Sequence, residues 1–206
     1  MNAMTGDAEV TLEAEEQARA NVYALLSRLF VAPAGADLLR AIASGDESGG
    51  EPGADDAGEF AVGWRDLIKT AGDTQEAAVA DEYHDLFVGT GRPEVSLYVG
   101  AYTARSSVDT MLVGLRRFLA EHGLERRSGV NEPEDHIAML FEIMRFLIHV
   151  QPSTVDEQKR FFDQFLWTGG VSLCDAISEH PRARFFRSVA RFAKCFLFVE
   201  HEAFAM

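Results

Sequence analysis

Apolar residues recur at every third or fourth position along most of the chain, which is the period of an amphipathic α-helix. The first such stripe predicts a helix over residues 11–31, ended by Pro33. Four further stripes predict helices through residues 79–87, 108–119, 137–148 and 185–199, and the last has a heptad-like seam that includes Phe185, Val189, Phe192, Phe196 and Val199. No segment shows convincing period-two alternation, and residues 95–102 are the best strand candidate. The pattern therefore predicts an all-α helical bundle.

One stretch interrupts this pattern. Residues 44–58 are rich in glycine and acidic side chains, and such a composition buries too little apolar surface to pack. The chain has 206 residues and 47% hydrophobic content, which is enough for a core without a metal or a disulfide. We therefore expect one all-helical domain over residues 1–206, with a flexible acidic loop at 44–58 as a plausible hinge.

The formal net charge of −14 argues against nucleic acid and anionic membranes as partners, since both require a basic surface. It favours a basic partner, although solubility alone explains the charge equally well. No apolar run approaches 18 residues, and no basic segment with an apolar run opens the chain, so neither membrane insertion nor a secretory signal is expected. Cys174 and Cys195 form no metal or disulfide pattern, which favours free thiols in the cytoplasm.

The first segment with candidate chemistry is the end of the helix around Tyr83. Gly89 and Gly91 end this helix, and the loop at residues 92–98 then presents a proline, hydroxyls and apolar side chains. A loop held by a rigid scaffold commonly carries a binding site, but an ordinary interhelical loop has the same composition. A phosphate-binding loop is not predicted, because no lysine follows the glycines and a helix ends where one should begin.

The second segment is the start of the helix at residues 137–148. Asn131 or Glu132 is predicted to precede the first turn, with Pro133 at the first helical position and the acids at 134–135 in the first turn. Helix-start chemistry explains these residues without a function, but it does not explain His136. The functional alternative is a polar recognition cluster in which the acids bind a cationic group and His136 donates.

Metal binding and catalysis are not expected. A single histidine beside carboxylates is a poor zinc site, and the other five histidines are scattered. No nucleophile is recognisably paired with a base, so no catalytic residue is assigned and the chain is not predicted to be an enzyme.

Taken together, these segments resemble the TorD/DmsD family of cytoplasmic chaperones for molybdenum-containing oxidoreductases. The matching pattern is Glu82-Tyr83-x-x-Leu86-Phe87-x-Gly89-x-Gly91, then Pro93-x-x-Ser96-x-Tyr98, then Glu132-Pro133-x-Asp135-His136-Ile137-Ala138. The last motif is the most specific, and the resemblance runs from about residue 10 to the phenylalanine-rich final helix.

The resemblance implies a chaperone that binds the twin-arginine signal peptide of a molybdopterin-containing oxidoreductase and assists its cofactor loading and maturation before export. It implies no cofactor, apart from weak guanine-nucleotide binding, and a monomer or a domain-swapped dimer. The peptide-binding residues that it implies are Tyr83, Leu86, Phe87, Gly89, Pro93, Ser96, Tyr98, Glu132, Pro133, Asp135 and His136.

The chain also departs from the family pattern. Phe165 stands where the family often has a histidine, and Glu94 follows Pro93 where some members carry a tryptophan. These changes bear on which enzyme is the partner. Two alternatives remain open, a GTP-binding or GTP-hydrolysing protein supported by the glycine pair and the acids, and a purely structural helical adaptor.

Overall fold

The computed structural model describes residues 5–45, 58–89, 91–124, 134–150 and 153–206, and within them the fold is all-α. The predicted loop at 44–58 falls largely outside these ranges, at residues 46–57. Of its described residues, Ser44 still belongs to the preceding helix, and Gly45 ends that helix with a left-handed φ of 81°, a conformation that glycine adopts most readily. The α-helices are α1 (Thr5–Val31), α2 (Ala36–Ser44), α3 (Glu59–Asp73), α4 (Glu76–Tyr83), α5 (Arg105–Glu121), α6 (Ile137–Arg145), α7 (Val155–Phe161), α8 (Trp167–Glu179) and α9 (Phe185–Ala203).

Three of these helices widen into a π-helical turn at their C-terminal end. The turns are His84–Val88 after α4, Phe146–Val150 after α6 and Phe162–Leu166 after α7. The predicted helices through 79–87 and 137–148 therefore exist, but each is an α-helix followed by a wider turn.

The core lies where α1 packs on α6, and where α9 packs on both α3 and α8. Aromatic side chains fill it: the Tyr23 and Phe196 rings meet edge to face at 4.8 Å, and Trp64 packs on Phe192 at 5.2 Å. The apolar stripes that predicted these helices are mostly buried here, which confirms the all-α prediction.

The predicted seam of α9 is wrong at its end. Val199 is 46% exposed, whereas the neighbouring Glu200 is 1% exposed. Arg19 donates from Nε and Nη2 to the Glu200 carboxylate at 2.7 and 2.8 Å, and the Tyr23 hydroxyl donates to it at 2.8 Å. These bonds satisfy the buried charge, so the helix turns a glutamate inward at this position.

Candidate functional site

The loop before α5 and the start of α6 are joined by backbone hydrogen bonds. Tyr98 and His136 form an isolated antiparallel bridge. The Val99 amide donates to the Asp135 carbonyl at 3.0 Å, and the Ile137 amide donates to the Leu97 carbonyl at 2.9 Å. The best strand candidate, residues 95–102, thus forms only this bridge and a 3₁₀ turn at Val99–Tyr102. Two segments singled out separately in the sequence form one surface.

His136 is the N-cap of α6. Its Nδ1 accepts a hydrogen bond from the Ala138 amide at 3.3 Å, so in the neutral ring the proton lies on Nε2. The prediction that Glu134 and Asp135 lie in the first turn of this helix is wrong, because Ile137 is the first helical residue. His136 therefore has a structural role that its sequence position did not reveal. Its ring also packs edge to face against Tyr98, with centroids 5.3 Å apart.

Asp135 is positioned to hold the loop. Its side chain is 4% exposed, and its Oδ2 accepts a 3.0 Å hydrogen bond from the Gly100 amide. A Cβ on residue 100 would lie 2.7 Å from the same oxygen, so the close approach requires glycine. Asp135 does not lie in the first turn of α6, as predicted, but precedes it. Its carboxylate faces the protein, so direct contact with a peptide stays a prediction.

Glu134 was placed in the first turn of α6 by the sequence, but it also precedes the helix. Arg116 of α5 donates to both of its oxygens, from Nε to Oε1 and from Nη2 to Oε2, each at 3.2 Å. These bonds raise the pKa of the Arg116 guanidinium. A carboxylate that was not assigned to the site is thus in contact with a guanidinium beside it.

The loop is also braced from within. The Ser96 Oγ accepts a 3.2 Å hydrogen bond from the Tyr98 amide, and the Tyr102 hydroxyl donates to the Ser96 carbonyl at 2.9 Å. Burial raises the pKa of Tyr102, which keeps this hydroxyl a donor. Ser96 and Tyr98 are half-buried, and Pro93 is exposed at the beginning of the loop. These three residues are therefore the accessible part of the predicted set on this loop.

Tyr83, Leu86 and Phe87 form the support beneath the loop. Leu86 is fully buried, and its carbonyl accepts a 2.9 Å hydrogen bond from the Val95 amide. Phe87 is 9% exposed and packs edge to face on Phe186 with centroids 5.0 Å apart. Burial means that contact between Leu86 or Phe87 and a peptide requires this helix end to open, and such contact stays a prediction.

Tyr83 and Gly89, two further residues of the predicted set, lie at the two ends of the π-helical turn His84–Val88. The Tyr83 hydroxyl lies 3.2 Å from the carbonyl oxygens of Phe30 and Val31 at the end of α1. Gly89 has a φ of 62°, and a Cβ there would lie 2.7 Å from the Arg92 carbonyl oxygen. Gly89 thus has a conformational reason to be glycine, because the chain turns sharply into the loop.

Sequence reasoning missed the role of Glu82, although it belongs to the quoted motif. Its carboxylate accepts hydrogen bonds from the amides of Arg184, Phe185 and Phe186 at 2.8, 3.0 and 3.0 Å. Glu82 therefore caps the N-terminus of α9 from another helix, where the helix dipole favours a negative charge. Nothing near Glu82 in the sequence reveals this partner, which lies about a hundred residues away.

Arg182 is a second residue that the sequence did not reveal. Its Nη2 lies 2.7 Å from Glu94 Oε1 on the loop, and its Nη1 lies 3.6 Å from Asp85 Oδ2. It stands at the edge of a cavity of about 800 Å³. The charged residues lining this cavity are Asp73, Asp81, Glu82, Asp85, Arg182 and Arg184.

Phe165, at the position where the resemblance leads one to expect histidine, belongs to the core. It is 5% exposed and packs on Phe118 and Phe161 with ring centroids 6.0 and 5.3 Å apart.

The Glu132 and Pro133 assignments lie outside the described residues. Over the described ranges, no group of three or more His, Cys, Asp or Glu side chains is arranged to hold a metal ion. In the same part of the chain, no helix has the length and apolar character needed to cross a bilayer.

Comparison with known proteins identifies relatives. A family model described as "Nitrate reductase delta subunit" matches residues 52–171. "Chaperone protein TorD" of Photobacterium profundum is 32% identical over 95 residues, which are 45% of this chain and 44% of that protein. The protein of the same name from Shewanella loihica is 25% identical over 202 residues, or 91% of this chain and 93% of that protein. A third, from Vibrio cholerae, is 24% identical over 132 residues, or 58% of this chain and 59% of that protein.

The chain thus spans less than half of the Photobacterium relative and nearly all of the Shewanella relative. These relatives are named as chaperones, which supports the prediction that the chain is not an enzyme. The family model covers more than half of the 206 residues. Because the family model covers more than half of the chain, the relatives are named TorD and the fold is all-α as the resemblance implies, this protein belongs to the TorD/DmsD family of chaperones.

Proposed function

We propose that this protein is a cytoplasmic chaperone that binds the twin-arginine signal peptide of a molybdopterin-containing oxidoreductase and assists its cofactor loading and maturation before export. The observation that carries the proposal is the backbone pairing of the Tyr98 loop with the His136 helix start. This pairing brings the loop that contains Ser96 and Tyr98 next to Asp135 and His136. The TorD name of the relatives supports the same class of function.

The chemistry of this surface suits a peptide that joins two arginines to an apolar stretch. Carboxylates bind guanidinium groups through paired, charge-assisted hydrogen bonds. Glu94 and Glu134 each already bind an arginine of this chain, at 2.7 and 3.2 Å. The half-buried ring of Tyr98 offers apolar area with a polar end. The net charge of −14 would speed the encounter with a basic segment.

We assign different roles to the predicted residues. Pro93, Ser96, Tyr98 and His136 are the residues that contact the peptide in this proposal. The remaining described members of the set fix the loop in place, namely Tyr83, Leu86, Phe87, Gly89 and Asp135.

The test is calorimetry with the full chain and a synthetic peptide that carries two consecutive arginines followed by an apolar run. A peptide with two lysines and a scrambled peptide serve as ligand controls. The ammonium group of lysine cannot donate two parallel hydrogen bonds to one carboxylate, as the planar guanidinium of arginine does. We therefore expect the lysine peptide to bind about tenfold more weakly than the arginine peptide. Equal binding of all three peptides would favour the structural adaptor and contradict the proposal.

The His136→Asn variant separates binding from folding. Asparagine is among the best N-cap residues, so α6 retains a capping oxygen while the imidazole is lost. We expect the helical content and the melting temperature to be kept and the affinity for the arginine peptide to fall by about tenfold. His149→Asn is the matched control, because His149 is exposed in the turn after α6. Unchanged affinity in the His136 variant would remove this residue from the site.

A further inference from the structure

The ion pair between Arg116 and Glu134 is unequal in exposure. The Glu134 side chain is 12% exposed, whereas the Arg116 side chain is 57% exposed. The glutamate is thus held against the protein, while the arginine reaches it from solvent. The Arg116 head group is already largely hydrated, so turning away into water costs the arginine itself little, whereas the sheltered Glu134 carboxylate would then need another cation. The carboxylate has no such freedom.

Glu134 is also fixed relative to the proposed peptide surface. It immediately precedes Asp135 and His136, whose backbones bond the loop. Arg116 is carried by α5, which packs over the same loop: a Cβ on Gly100 would lie 3.3 Å from Val108 and 3.4 Å from Met111. The pair therefore stands where the loop, α5 and the start of α6 meet.

Arg117, the next residue on α5, provides a contrast. Its Nε lies 3.7 Å from Glu121 Oε1 on the same helix, and both side chains are exposed, at 78% and 51%. That pair is an ordinary surface contact between residues one turn apart. Arg116 instead approaches both oxygens of a sheltered carboxylate on another segment.

We propose that Glu134 is the carboxylate that receives a guanidinium of the bound peptide, and that Arg116 occupies it in the free protein. This inference rests on the proposed function and adds a residue outside the set that the family motifs suggest. A peptide arginine offers the same two N–H donors as Arg116. It can therefore replace the paired hydrogen bonds of Arg116 to Glu134 with an equivalent pair of its own. The internal arginine then acts as a competitor that lowers the affinity and excludes ligands without a fork.

The test compares Arg116→Gln with Arg117→Gln, which remove the same charge from adjacent positions of one helix. Affinity for the arginine peptide and the lysine peptide is measured by calorimetry on the full chain, with circular dichroism to check folding. Loss of the competitor is expected to tighten binding of the arginine peptide by about threefold to fivefold in the Arg116 variant, a modest gain because the arginine side of the pair is open to water. The Arg117 variant should match the wild type.

Glu134→Gln tests the other partner. It should weaken binding of the arginine peptide by about tenfold and abolish the gain of Arg116→Gln when the two are combined. Equal affinities for the two arginine variants, or wild-type affinity in the Glu134 variant, would overturn the inference while leaving the proposed function intact. A wild-type chain that does not prefer paired arginines would overturn both.

Discussion

The Gly100 amide donates a 3.0 Å hydrogen bond to Asp135 Oδ2 across 35 residues of sequence. Together with the backbone bonds between Val99 and Asp135 and between Leu97 and Ile137, it makes the loop and the start of α6 one structural unit. A change at either residue should therefore act on both segments.

Asp135→Ala removes the acceptor and leaves the buried Gly100 amide without its partner. We expect the free energy of unfolding to fall by about 1–3 kcal/mol, with helical content retained at low denaturant. Affinity for the arginine peptide should fall as well, because the loop loses its anchor. Urea denaturation followed by circular dichroism, and calorimetry, measure the two effects. Asp109→Ala on the exposed side of α5 should change stability by less than about 0.5 kcal/mol.

Gly169→Ala should disturb the same unit from beneath. A Cβ on this residue of α8 would lie 2.3 Å from Val99 Cγ1 and 2.9 Å from the Val99 carbonyl oxygen. Such overpacking costs about 1–3 kcal/mol, and thermal unfolding measures it. Gly72→Ala in α3 is the control, since its nearest neighbour outside its own helix lies 3.8 Å away. This second variant should be neutral or more stable by up to about 1 kcal/mol, and equal losses in both would contradict the packing.

Glu82→Ala should destabilise the start of α9. The substitution leaves three backbone amides, at residues 184–186, without the carboxylate that accepts from them. We expect a loss of about 0.5–2 kcal/mol, as for other N-caps. Asp81→Ala, which changes the exposed neighbour by the same charge, should have little effect in the same urea titration. If the two variants unfold alike, Glu82 is not the cap.

The two cysteines should differ in reactivity. Burial raises the pKa of the fully buried Cys174 from 9.0 to about 12, whereas Cys195 is only half-buried. Burial also raises the pKa of Cys195, so a thiol reagent at neutral pH should modify Cys195 slowly but faster than Cys174 in the folded chain, and both cysteines readily in denaturant. The pKa of Cys174 is higher in the folded state than in the unfolded state. Its contribution to stability is therefore complete below pH 9.0 and is lost as the pH rises towards 12. Rapid modification of Cys174 in the native protein would contradict its burial.

The sequence predicted those helices whose apolar stripe is long and continuous, which include α1, α5 and α9. It did not separately predict α2, α3, α7 or α8. The nine residues of α2 are too few for periodicity to decide, and Gly63 and Gly72 interrupt the pattern of α3. The sequence does contain a signal for the start of α7 that the helix prediction did not use, because Thr154 and Glu157 have the spacing of a capping box and form one in the structure.

The parts of the site that depend on distant partners were not predictable from local pattern. The general preference for proline at the first helical position placed the start of α6 too early. Asp135 is instead drawn to Gly100, and His136 takes the cap. Glu200 likewise is buried because Arg19, 181 residues away, neutralises it. The motif residues were found through the family resemblance, and the division into contact and support that we propose for them rests on their burial and hydrogen bonds in the structure.

Hydrogen exchange of backbone amides, measured with and without saturating arginine peptide, tests the central claim most directly. If the loop and the start of α6 form the peptide site, exchange should slow at residues 95–102 and 134–140 on binding. Amides of α2 and α7 serve as internal references that should not change. Protection confined to regions outside the loop and the start of α6, or no protection at saturation, would contradict the account.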